Sequence, residues 1–206
     1  MATMDLDQLA RIKVTTVSRE PETIANSAGA VTVVTREDIR RSGATNLPEA
    51  LRLVPGVQVA RLGTRDWAIS IRGFNGQTTN KLLVLIDGRA VYSPFFAGVF
   101  WDVQQVALGD VERIEVVRGP GAALWGANAV NGVINVVMRP AAETQGGSVG
   151  AVASTADQLI GSVRYGGRIG STGAFRVYGR GSRSATVDLP DGSDAPEDWK
   201  LGMGGF

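Results

Sequence analysis

VERIEVVRGPGAALWGANAVNGVINV, residues 111–136, holds two apolar runs on either side of a stretch in which Gly119, Gly121, Gly126 and Gly132 recur. Ile114–Val117 and Gly132–Met138 have the length and β-branched content of buried strands. Glycines between such strands can mark a phosphate loop, but this one lacks the Gly-Lys-Ser/Thr ending and the dinucleotide spacing. Left-handed turns and close backbone packing, at the glycines and at Asn128 or Asn131, account for the series better. The stretch therefore reads as architecture without chemistry.

Upstream, Leu82–Ile86 is a third strand, and Asp87-Gly88 before Arg89–Val91 is a two-residue hairpin signal. Val57–Arg61 and Trp67–Arg72 are two more strands, and Val31–Val34 is a short one. Thr35 with Asp38 three residues on predicts a capping box opening a helix over Arg36–Arg41, which Gly43 ends. A second helix follows, capped by Asn46 or Leu47, with Pro48 in its first turn and Leu47, Ala50, Leu51 and Val54 on one face until Pro55-Gly56 stops it. Residues 31–140 thus read as α+β, a small mixed β-sheet with short helices beside it.

Downstream of Pro140 the chain becomes glycine- and serine-rich, and its apolar residues alternate. Leu159, Val163 and Tyr165 oppose Ser162 and Arg164, and Phe175 and Val177 oppose Arg176, Tyr178 and Arg180. Trp199, Leu201 and Met203 alternate with Lys200 and Gly202. Three or four strands joined by a short turn near Gly170 and a polar loop over residues 186–197 suit either a soluble sheet with one wet face or part of a transmembrane barrel. Period alone does not separate the two.

Upstream of Val31, residues 1–30 are polar and small around one β-prone segment, Lys13–Ser18, and read as a tether. They lack the basic start, apolar core and cleavage site of a secretory signal, so an exported protein appears here in mature or truncated form, and Met1–Met4 reads as a gene-model start. No run approaches the ~20 apolar residues of a membrane helix. The 206 residues contain no cysteine and no histidine, which removes thiolate metal sites and Ser-His or Cys-His nucleophile pairs. A net charge of +1 gives no whole-chain field for nucleic acid. An enzyme is not expected.

The ordered series VTVVTREDIRRSGATNLPEALRLVPGVQV, ISIRGF, LLVLIDGR and VERIEVVRGPGAALWGANAVNGVINV resembles the plug of TonB-dependent receptors from Val31 to Val137. The resemblance implies that residues 141–206 are the first antiparallel strands of a truncated outer-membrane β-barrel, and that residues 1–30 are a periplasmic tether. It identifies Ile12, Lys13, Val14, Thr15, Thr16 and Val17 as the candidate TonB box, an extended segment that adds to a sheet edge of TonB. It implies that Arg72 and Arg118 lock the plug to carboxylates of the barrel wall, with Glu112 and Glu115 the nearest carboxylates in this chain. A solvated strand end is the plain alternative for all four.

It further implies that the loops over residues 61–67 and 92–101 face the ligand, through Arg65, Trp67, Tyr92, Phe95 and Phe96. Aromatic crowding there also suits core, the first expectation for Phe100. The function implied is energised uptake of a ferric siderophore or cobalamin by a monomer embedded in outer-membrane lipid, with TonB and its inner-membrane motor as partner and no intrinsic cofactor or metal. Rivals are a ligand-sensing receptor of the same family, a passive porin and a glycine-rich nucleotide-binding enzyme. Other metal complexes and oligosaccharides stay open as ligands.

Overall fold

The computed structural model describes residues 13–17, 20, 22–26, 29–63, 66–77, 80–93, 95, 98–154, 158–184 and 199–206. Elements run β1 (Lys13–Val14), β2 (Glu22–Thr23), β3 (Ala30–Thr35), α1 (Arg36–Ser42), α2 (Leu47–Leu51), β4 (Val57–Arg61), β5 (Trp67–Ile71), β6 (Leu82–Ile86), β7 (Arg89–Ala90), β8 (Val111–Arg118), α3 (Ala122–Trp125), β9 (Gly132–Met138), β10 (Gly146–Ser154), β11 (Gln158–Ile169), β12 (Gly173–Ser184) and β13 (Trp199–Gly205). Among the described residues, no helix is long and apolar enough to cross a membrane.

A five-stranded sheet ordered β3-β8-β9-β6-β7 forms the centre. It is mixed, because β6 and β9 run parallel while the other neighbours are antiparallel. Both faces are covered, which explains why β6 and β9 read as unbroken apolar runs instead of alternating ones. One face presents Ile114, Val116, Ile134, Val136, Leu82 and Val84 to α1, α2 and the β4–β5 hairpin. The other presents Leu83, Leu85, Val117 and Val133 to Ala129, Trp125 and Val17.

The helix signals were specific. Thr35 accepts from the Asp38 amide at 3.2 Å while Asp38 accepts from the Thr35 amide at 2.9 Å, and Gly43 closes the helix with φ +71°. Thr35→Ala is expected to cost about 1 kcal/mol of local stability, read as faster amide hydrogen exchange across Arg36–Ser42 with the rest of the sheet unchanged. The second helix is shorter than its apolar face suggested: it ends at Leu51, and Val54 reaches the core from a turn that continues to Gly56 at φ +82°.

The second unit is an antiparallel sheet ordered β10-β11-β12-β13. Its register puts Val149, Val163 and Gly179 in one row and Tyr165 and Val177 in the next, all on one face. Val149, Val163, Tyr165 and Val177 are exposed there. The opposite face carries Arg164, Arg176, Tyr178, Arg180 and Ser182 towards the first unit. Strand β13 breaks this pattern, because Leu201 pairs with Ser182 and Met203 with Arg180. Its apolar residues therefore share the inner face and its Lys200 the outer one, the reverse of β11 and β12. The four strands do not close into a barrel. The polar loop expected over residues 186–197 lies outside the described residues.

Candidate functional site

The segment expected to hang free is docked over residues 13–17. Strand β1 pairs antiparallel with β2, and Val14 is fully buried. The Thr15 and Thr16 amides donate to Glu115 Oε2 at 2.9 and 3.0 Å, and the Thr16 hydroxyl donates to the same oxygen at 2.5 Å. Trp125 Nε1 donates to the Thr16 carbonyl at 2.7 Å. This corrects the picture of an open tether for Lys13, Val14, Thr15, Thr16 and Val17: β-branched side chains that suit a partner's sheet also suit this one. Ile12 lies outside the described residues.

The same contacts reassign two glutamates. Glu115 is fully buried in the central sheet, and its other oxygen accepts from Arg113 Nε at 2.8 Å. Glu112 accepts from Arg113 Nη1 at 2.6 Å. Neither joins Arg72 or Arg118, which corrects their pairing within this chain: β8 alternation sends Arg113 and Glu115 to the face that the leader covers, while Arg118 sits at the strand's far end. Arg118 Nη1 donates to the Pro55 carbonyl at 3.2 Å, and its buried Nε has no acceptor among the described residues. Arg72 is exposed, with φ +57°.

Of the loop residues expected to face a ligand, Phe95 is 90% exposed and Tyr92 is half-buried. Arg65 and Phe96 lie outside the described residues. Trp67 does not join them. It is core, because β5 points Trp67, Ile69 and Ile71 the same way, and the Arg61 and Arg52 guanidiniums lie 5.8 and 6.0 Å from its ring. Phe100, expected in the core, is exposed between buried Val99 and Trp101. Phe74 was missed: it is 70% exposed, with Lys81 Nζ 5.0 Å from its ring. Its signal was an aromatic directly after the glycine of IRGF.

Also missed were the residues that join the two units. Arg164 Nη1 pairs with Asp110, Arg176 donates to the Arg139 carbonyl at 2.9 Å, and Arg180 donates to the Thr45 carbonyl at 2.8 Å. Gln105 accepts from Arg180 and Ser182, each at 3.3 Å. The alternation had shown these arginines on a polar face without showing what that face meets. A cavity of about 520 Å³ opens between the units beside Arg36, Arg40, Asp110, Arg164 and Arg180. Arg40 is tied to Glu37 at 2.7 Å and, with Arg41, holds that carboxyl down to about 2, so its charge is partly offset.

Residues 23–133 match the model of the TonB-dependent receptor plug domain. The vitamin B12 transporter BtuB of Vibrio cholerae serotype O1 is 34% identical over 164 residues, 80% of this chain and 26% of that protein. BtuB of Vibrio vulnificus is 30% identical over 180 residues, 86% of this chain and 29% of that protein. The chain therefore spans between a quarter and a third of these relatives. The pyoverdine outer membrane receptor FpvA of Pseudomonas aeruginosa PAO1 superposes with a TM-score of 0.69 at 21% identity, over 89% of this chain and 26% of that one. The ferric-catecholate import receptor Fiu of E. coli K12 gives 0.62 at 26% identity, over 88% and 25%. Coverage that high extends past the sheet of residues 30–138 into strands β10–β13. A glycine-rich plug sheet with a four-stranded wall against it, and a family match over more than half its length, place this chain in the TonB-dependent receptor family.

Proposed function

We propose that the chain is the plug and first wall strands of an outer-membrane receptor that takes up cobalamin or a ferric siderophore, driven by TonB and its inner-membrane motor. The observation that supports this reading is the β-prone pre-plug segment Lys13–Val17, whose Thr15 and Thr16 are bonded to Glu115 of the plug sheet, a segment that suits capture by a pulling partner. The exposed apolar face of β10–β12 fits outer-membrane lipid, and Arg180 and Arg164 hold the plug from inside. Binding, order change and force suffice, with no bond made or broken, no intrinsic cofactor, and a monomer as the working unit. The cobalamin arm is favoured by the 34% identity to a vitamin B12 transporter.

In this proposal the plug is residues 31–140 and the wall 141–206, and residues 1–30 precede the plug with Lys13–Val17 docked on it. Arg72 and Arg118 lock the plug to carboxylates beyond this chain, consistent with the buried Arg118 Nε that lacks an acceptor among the described residues. Phe95, Tyr92 and Phe74 offer aromatic surface to the ligand, together with Arg65 and Phe96 of the same loops.

The test is uptake of radiolabelled cyanocobalamin and of a labelled ferric catecholate by cells whose only such receptor carries this chain, with residues 12–17 present or deleted. Energised uptake of one ligand that falls to background on deletion is expected. Uptake that survives the deletion, or no uptake of either ligand by the intact receptor, overturns the reading.

A further inference from the structure

The outward face of β10–β13 is apolar or glycine along its length except at one end. Alternation and register set the outermost row there as Ala153, Leu159, Arg183 and Lys200, each directly opposite the next across the ladder. Arg183 and Lys200 are exposed, and among the described residues of these strands they are the only charged side chains on that face. Cations directly opposite in a ladder stand about 5 Å apart at Cβ and repel, and an anion held by both turns the repulsion into attraction. The adjoining row is Ala151, Gly161, Gly181 and Gly202, so the floor beside the cations is almost bare backbone. A Cβ at Gly161 or Gly202 would meet nothing within 4 Å, which leaves an open trough. Beyond the trough come Val149, Val163, Tyr165 and Val177, all exposed.

Connection lengths identify that end. Residues 170–172 join β11 to β12, whereas residues 185–198 join β12 to β13. In outer-membrane barrels the short turns are periplasmic and the long loops extracellular, which puts Arg183 and Lys200 at the extracellular end. Arg183 lies ten residues beyond Gly173, the first residue of β12. At about 3.3 Å per residue and a tilt of about 40°, that is about 33 Å along the strand and about 25 Å of height. The apolar band of such a wall is about 25 Å tall, so the pair sits on its upper rim. We propose that Arg183 and Lys200 form a site for the phosphate of a phosphorylated glycolipid of the outer leaflet, whose acyl chains lie along the glycine trough. This rests on the reading of β10–β13 as outer-membrane wall. Two cations above a bare apolar floor match a lipid better than free phosphate, which makes no use of the trough. The connection over residues 185–198 carries Asp188, Asp191, Asp194, Glu197 and Asp198, and its carboxylates are the competing occupants of the pair.

The experiment uses the complete receptor in a neutral detergent, with bisphosphorylated lipid A as the probe and its binding read by native mass spectrometry. Arg183→Gln combined with Lys200→Gln is expected to lower the affinity at least about tenfold, the loss of charge-assisted bonds to one phosphate. Arg183→Lys combined with Lys200→Arg keeps both charges and is expected to bind like the parent, which separates loss of charge from loss of fold. Arg168→Gln removes an exposed cation from the opposite end of β11 and is expected to leave the affinity unchanged. Lipid A stripped of its phosphates is expected to bind the parent weakly, and inorganic phosphate at the lipid's own concentration is expected not to displace it. A receptor that fractionates with the outer membrane but binds lipid A equally with and without the two cations overturns the site and leaves the wall reading standing. An equal loss in Arg168→Gln, or displacement by inorganic phosphate, overturns the site as well. A receptor recovered in the soluble fraction without detergent overturns site and wall together.

Discussion

Asp110→Ala is expected to weaken the hold of the wall on the plug more than any other single change at their interface. Asp110 ends a short turn, Leu108–Asp110, whose backbone is fixed by its amide bond to Ala107 and by its carbonyl bond from Arg139, each 2.8 Å. The turn thereby aims the carboxylate outward at Arg164 on β11. Both side chains are largely buried, at 7% and 17% exposure, and Arg164 Nε has no acceptor among the described residues. Removing the acid leaves a guanidinium buried without a counter-charge, a loss of about 3–5 kcal/mol where the surroundings do not relax.

Arg180 makes a useful contrast. Its acceptors are a carbonyl and an amide oxygen, so Gln105→Ala should cost only about 1 kcal/mol. The measurement is a double-mutant cycle over Asp110→Ala and Arg164→Ala, read by urea unfolding of the plug followed through Trp67 and Trp101. A coupling of about 2 kcal/mol or more is expected, and one below about 0.5 kcal/mol would mean that the pair does not hold the plug.

That interface shows where sequence reading succeeds and where it stops. Local signals carried far: Thr35 with Asp38, Asn46 with Pro48, and Asp87-Gly88 each fix backbone geometry within a few residues, and each element formed where expected. The alternation in β11 and β12 likewise sorted the inner residues from the outer ones. In β13 the same period was legible but its phase was not, because phase depends on pairing with β12. Contacts between residues 54 to 100 positions apart left no local trace. Glu115 reads as a strand-end charge until the leader is laid over it, and Arg164 reads as one more polar-face residue until Asp110 is opposite. Trp67 shows the converse: a loop-edge aromatic looks available to a ligand until β5 turns it inward. Family resemblance supplied the plug's role, while the identities of its inner contacts required coordinates.

Gly132→Val is expected to disrupt the plug sheet itself. A Cβ at Gly132 would stand 2.5 Å from the Val117 carbonyl oxygen and 2.8 Å from Ile71 Cδ1. The first obstacle is backbone: Arg118 pairs with Gly132 and Val117 with Val133, so relief requires opening the β8–β9 ladder at its glycine-rich end. The second is a fully buried side chain at the end of β5, with no space to retreat into. Valine adds two further methyl groups to a site that cannot take one, so the cost should lie at the upper end for overpacking, about 3 kcal/mol, with alanine somewhat less. Gly161→Ala is the matched control, since a Cβ there meets nothing within 4 Å, and a change below about 0.5 kcal/mol is expected. Amide exchange across Val111–Arg118 and Gly132–Met138 reads the difference directly. Protection in Gly132→Val equal to that in Gly161→Ala would show that the central sheet can part from its neighbours at this corner without loss, and the glycine's role as a close-packing position would be void.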